Sequence, residues 1–316
     1  MKSFMLTWFV ALALSLSAVN GQDNGVAFLS SIKGTIKVTD ASGKEKKASP
    51  SLKLLAGDKI TASANSSVSV MYYSGKEVVL KAGQNHVITA VKTEDSFLSG
   101  LYKSLSGMLW GEASNSSMAG ATRAWAGDAN RNITAVYPSE SKVINDSPVF
   151  EWADHRATPG NDYVITISSE ISDFKYEMTI KGSKQAAYPK TAPKLKSDEK
   201  YQWSIKDATG AEVSPTAKFS LLAPEDKETL EDDIKEVAKV CNNDNTNPQW
   251  YLLSAALYRD YGLMKEAETA IKALIAMKPD MVQAHVMLAT LYKETGRLEE
   301  AKAAEEQARK LSEGKK

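Results

Sequence analysis

The chain has 316 residues, with 39 Lys and Arg against 39 Asp and Glu, 43% hydrophobic and 25% charged residues. At roughly 150 residues per domain this length suggests two or three modules, and the average composition excludes both wholesale disorder and a polytopic membrane protein. Balanced charge gives no general electrostatic footprint for nucleic acid or anionic lipid, so the expected partner is a protein or peptide. A single cysteine, Cys241, excludes an intrachain disulfide, and stability is expected from packing alone.

The N-terminus reads as a secretory signal peptide over residues 1–21. Lys2 supplies a positive start, Phe4 to Leu16 is an uncharged apolar run, and small residues follow up to Gly21, where cleavage is placed. The competing reading is an uncleaved anchor, but the run is short for a bilayer roughly 30 Å thick. No cysteine follows it, which leaves no lipoprotein-type attachment. Cleavage removes Lys2, so the mature chain carries 38 − 39 = −1 and is expected in the periplasm or outside the cell, with no membrane span.

Residues 26–92 have the texture of short strands. Thr35 to Thr39 and Ser67 to Tyr72 alternate polar with apolar, Val78-Val79-Leu80 is a short apolar run, and turn signals stand at Ser42-Gly43, Gly57-Asp58, Ser74-Gly75 and Ala82-Gly83. The order of Gly34, Leu55-Ala56-Gly57-Asp58-Lys59-Ile60, an alternating strand and then Val79-Leu80 resembles the FecR-like domain family. That resemblance implies an extracytoplasmic β module of a bacterial cell envelope and no catalytic residues.

Residues 93–135 are expected to hold one short helix and a linker. Phe97, Leu101, Leu105 and Met108 recur at helical spacing, with Leu98 and Leu109 beside them. Its polar side carries Glu94, Asp95 and Lys103 rather than the basic residues of a membrane-surface helix, so packing against a neighbouring module is the preferred reading. Ser114 to Gly127 is rich in Ser, Ala and Gly and reads as linker.

Over residues 136–222 the period of two returns. Pro148 to Trp152, Tyr163 to Ile167, Tyr176 to Ile180, Tyr201 to Ile205 and Ala217 to Leu221 each place apolar residues two apart, which predicts a β-sandwich. The Pro-x-Phe-x-Trp, Tyr-x-Ile-x-Ile and Tyr-x-Trp-x-Ile runs resemble fibronectin type III and related immunoglobulin-like modules. Trp152 and Trp203 alternate with polar neighbours and are expected in the core; as an alternative they would form a sugar-stacking platform.

Beyond Pro224 the period becomes helical. Leu230, Ile234, Val237 and Cys241 form one stripe, which places Cys241 as a small core residue rather than a reactive thiol. Tyr258, Gly262, Ala267 and Ala270 then recur as Tyr292, Gly296, Ala301 and Ala304, each 34 residues later. Glycine permits the sharp turn between two helices, and alanine lets them approach closely. This pattern resembles the tetratricopeptide (TPR) repeat, with repeats at about 248–281 and 282–315 in a helical domain over 225–316. The resemblance implies a docking face on the first helix of each pair, where Gln249, Leu252, Arg259 and Asp260 match Gln283, Val286, Lys293 and Glu294. The junction at Glu225 to Glu228 predicts that this domain folds apart from the β modules.

His86, His155 and His285 stand in three different modules with no partner at metal-ligand spacing, and no phosphate loop, nucleophile elbow or dinucleotide fingerprint occurs. No cofactor or metal is expected, and no enzymatic activity. The expected architecture is an all-β N-terminal two-thirds followed by an all-α tail, acting as an exported adaptor or scaffold; the alternative is a cell-envelope carbohydrate-binding protein.

Overall fold

The computed structural model describes residues 25–50, 52–74, 76–90, 96–110, 132–156, 162–210 and 212–313. The expected signal segment and the Ser114 to Gly127 stretch lie outside the described residues.

Strands β1 (Ala27–Lys33), β2 (Ile36–Thr39), β3 (Glu45–Lys46), β4 (Lys53–Leu54), β5 (Lys59–Ala62), β6 (Ser67–Tyr72), β7 (Glu77–Leu80) and β8 (Asn85–Val87) come first. They form two four-stranded antiparallel sheets, ordered β4-β1-β6-β7 and β3-β2-β5-β8. Leu29, Val38, Ile60, Val70 and Leu80 fill the core they share. The Leu55 to Asp58 turn has a plain physical cause. Gly57 takes a left-handed φ of 92°, and the buried Asp58 carboxylate accepts the Leu55 N–H at 2.9 Å and pairs with Lys46 at 2.8 Å.

Helix α1 (Ser96–Leu109) follows, with Leu101, Leu105, Met108 and Leu109 buried. The second β unit comprises β9 (Ile133–Tyr137), β10 (Ser141–Val143), β11 (Val149–Asp154), β12 (Asp162–Ser169), β13 (Lys175–Lys181), β14 (Gln185–Ala187), β15 (Lys200–Asp207) and β16 (Ala217–Leu221). A five-stranded sheet, β10-β16-β15-β12-β13, and a three-stranded sheet, β14-β11-β9, share one apolar core. β12 and β15 bury every second residue, as a sheet with one covered face requires. Trp203 is 1% and Trp152 4% exposed. Each meets a ring edge-on, Phe150 at 4.9 Å and Tyr163 at 5.3 Å between centroids.

Five helices end the chain: α2 (Pro224–Val240), α3 (Pro248–Asp260), α4 (Met264–Met277), α5 (Val282–Glu294) and α6 (Leu298–Glu313). Pro224 and Pro248 stand in the first turns of α2 and α3, where a missing N–H costs nothing, and Asn247 caps α3 by accepting the Gln249 N–H at 2.9 Å. Gly262 and Gly296, with φ of 76° and 77°, make the turns of the α3–α4 and α5–α6 hairpins. Ala267 and Ala301 are buried where the helices meet. No helix among the described residues is long and apolar enough to cross a membrane.

The helical tail, predicted to fold apart from Pro224 onward, shares its core with the preceding units. One apolar cluster joins Phe28, Met71 and Tyr73 of the first β unit, Leu101, Leu105 and Met108 of α1, Leu222 after β16, and the helical tail. Glu225 and Asp226 are not a free linker; they occupy the first turn of α2, where acidic side chains favour the helix dipole. The second β unit is also tied to the tail, by the Lys142 N–H donating to Gly262 O at 2.8 Å and by Lys265 pairing with Glu151 at 2.8 Å.

Candidate functional site

The eight expected docking residues lie on α3 and α5, and α1 packs against both helices. Another part of the same chain thus packs on the two helices that carry these residues, although Asp260 stays exposed and Val286 and Lys293 are half-buried. Leu101, Leu105, Met108 and Leu109 supply the apolar side of α1, with Phe97, Tyr102 and Trp110 packed at its margin. At its polar edge, Ser104 Oγ donates to Asp260 Oδ1 of α3.

Each predicted residue has a definite placement. Gln249 is buried and donates its amide to the carbonyl of Ser74, after β6, while Leu252 lies in the shared core. Arg259 reaches across to Glu294, with Nε 2.9 Å from Oε2 and Nη2 on Oε1. Their side chains are 10% and 0% exposed. Burial disfavours the Arg259 charge, but the Glu294 carboxylate outweighs it and raises the guanidinium pKa. Lys293 turns instead to Glu305 on α6, and Val286 is half-buried. The match of Arg259 with Lys293 in the repeat does not extend to their surroundings: Arg259 joins the two hairpins, whereas Lys293 stays half-exposed.

Gln283 has no solvent exposure, and neither its amide oxygen nor its amide nitrogen has a hydrogen-bond partner. Gln249, 34 positions earlier, is satisfied by Ser74. A buried unmet amide costs on the order of 1–3 kcal/mol, so the two matched glutamines are not equivalently packed. Nothing in the sequence distinguishes the two glutamines, since the difference lies in what long-range packing delivers to each.

The remaining chemistry-bearing groups are held structurally. The ring nitrogens of His86 and His285 meet Tyr72 Oη at 2.7 Å and Pro279 O at 3.2 Å. Among the described residues no cluster of His, Cys, Asp and Glu is placed to hold a metal. Asp154, Arg156 and Asp207 form an ion-pair network that joins β11 to β15, with 2.6 Å contacts on both sides of the guanidinium. Cys241 is fully buried, and burial pushes its thiol up to about 11. Trp152 and Trp203 lie inside the second β unit, so they do not form an exposed stacking platform.

No family model matches the chain, and no curated protein matches it. Among solved structures, one described as "Myokine structure" is 14% identical, over 28% of this chain and 92% of that one, with a TM-score of 0.22. Another, "pT26-6p", is 11% identical, over 92% of this chain and 84% of that one, with a TM-score of 0.15. At such scores neither likeness bears on fold or function.

Proposed function

We propose that the chain is an exported, non-enzymatic adaptor of the bacterial cell envelope, built from a FecR-like unit, an immunoglobulin-like sandwich and a pair of TPR-type hairpins. Its working surface is the α3–α5 face, and its partner is a polypeptide presenting an amphipathic helix. One observation carries the reading: an amphipathic helix, α1, packs on both α3 and α5, and its Leu101, Leu105 and Met108 are buried in the core these helices share with the first β unit. Helix-in-groove recognition uses apolar anchors at this spacing. Export to the periplasm or beyond is supported by Lys2 and the apolar run Phe4 to Leu16.

In this reading α1 and the partner compete. A tethered segment acts at an effective concentration of about millimolar, so a partner in trans must bind tightly or meet a face whose own helix is weakened. The test is fluorescence anisotropy with a labelled peptide of residues 96–110. A chain carrying Leu101→Asp and Leu105→Asp, which weaken α1 in cis, is expected to bind the peptide saturably. The same peptide with Leu105→Asp is expected not to bind. If the weakened chain keeps a cooperative melt and takes up no peptide, the helix-binding reading fails.

A further inference from the structure

Helix α1 meets the end of α3 through a neutral group. Leu101, Leu105 and Met108 of α1 are buried, and at the margin of this stripe the half-buried Ser104 donates from Oγ to Asp260 Oδ1. Asp260 is the last residue of α3 and is exposed, so a group arriving from solvent can reach its carboxylate.

The charge of Asp260 is poorly answered where it stands. The C-terminus of a helix is the negative end of its dipole, where cations are favoured and a carboxylate is not. The neighbouring guanidinium of Arg259 is 10% exposed and directs Nε and Nη2 to Glu294. Loss of water around the Asp260 carboxyl raises it above its ordinary 3.8, and Glu294 adds to the rise; Ser104 and Arg259 oppose both without cancelling them. The cation of α1 next to Ser104, Lys103, is exposed and stands about 100° away around the helix.

We propose that the partner helix of this face carries arginine or lysine at the position that Ser104 holds in α1. The pattern is apolar at i, cationic at i+3 and apolar at i+4 and i+7, and Asp260 is the residue that selects it. This rests on the helix-binding reading above and adds the partner's charge to it. A cationic donor replaces a neutral hydrogen bond by a charge-assisted one, which is stronger, and sets a positive charge where the dipole of α3 favours it. The apolar anchors supply affinity, and the charge discriminates among helices that share them. The occupant is a helix of another polypeptide, since a second copy of this chain presents Ser104 again and gains nothing over α1.

The experiment compares three labelled peptides of residues 96–110, the parent, Ser104→Arg and Ser104→Gln, on the full chain carrying Leu101→Asp and Leu105→Asp. Glutamine matches arginine closely in helix propensity and lacks its charge. The arginine peptide is expected to bind about fivefold tighter than the glutamine peptide at low salt, the upper end for an exposed ion pair. The preference should shrink as salt screens it and vanish when the chain also carries Asp260→Asn. Uptake of the parent peptide without preference for arginine over glutamine, or a preference that survives Asp260→Asn, overturns the proposal and leaves the helix-binding reading standing. Uptake of no peptide by the folded chain overturns both. If the chain with the two aspartates does not fold, the otherwise unchanged chain carries the test: Ser104→Arg should melt higher than Ser104→Gln, and Asp260→Asn should erase the difference. Equal melts would overturn the proposal.

Discussion

Replacing Arg259 by Glu tests how the two hairpins are joined. The change removes the partner of Glu294, whose side chain is fully buried, and sets a second carboxylate against it. Removing one member of a buried pair costs about 3–5 kcal/mol, because the other charge is left uncompensated. At about 2–4 °C per kcal/mol for a chain of this class, the melt should fall by roughly 6–20 °C. Lys293→Glu is the internal comparison. Its pair with Glu305 is 41% and 48% exposed and should contribute only about 0–1 kcal/mol. The assay is a thermal melt by circular dichroism at low and moderate salt, with both variants in parallel. The double change Arg259→Met with Glu294→Leu should recover most of the loss, since a well-packed apolar pair replaces a buried ionic one at little cost. If Arg259→Glu melts no lower than Lys293→Glu, the cross-hairpin pair does not form and the placement of α3 against α5 is wrong.

Leu105 of α1 is fully buried in the cluster that joins the β unit to the helices, so Leu105→Ala should cost about 2–5 kcal/mol in denaturant unfolding with an unchanged m-value. A cost below that of an exposed alanine substitution would mean that α1 does not pack there. Cys241, with its thiol pushed up to about 11 and no exposure, should resist thiol reagents in the native chain and react at once when unfolded. Rapid native labelling would show that α2 frays from the core. Burial opposes ionisation of Glu268, but Arg297 and Lys272 outweigh it and hold the carboxyl below its ordinary 4.5. Its stabilisation is therefore complete above 4.5 and is lost as the pH falls through the lower folded value. The stability gap between the parent and Glu268→Gln should be open at neutral pH and should close in acid; a gap unchanged with pH would contradict the pairing.

The sequence made elements legible where one side of an element is buried and the other is wet. Tyr163 to Ile167 and Tyr201 to Ile205 alternate because each strand covers the core with one face only. The hairpins α3–α4 and α5–α6 were readable from the recurrence of glycine at their turns and alanine at their contacts. By contrast, β10 and β14 have three residues each, too few to show a period. Helix α1 could be read from Leu101, Leu105 and Met108, but not what it covers, because helical spacing says that a face is buried and nothing about its partner. The same limit hid the candidate site. Arg259 and Glu294 look like two members of separate like-charged sets until α5 brings them together, and Gln249 meets Ser74 from 175 residues away.

The most direct test of an α3–α5 face held by its own helix is to lock that helix in place. Ser104 and Asp260 touch across α1 and α3, and cysteines at both positions, in a chain with Cys241→Ser, can be joined by a short thiol-reactive cross-linker. Uptake of the labelled 96–110 peptide is then measured before and after cross-linking. The expected result is weak but saturable uptake by the open chain and none by the locked one, with both chains folded. Equal uptake by the locked chain would place the peptide elsewhere and contradict the assignment of this face as the helix-binding surface.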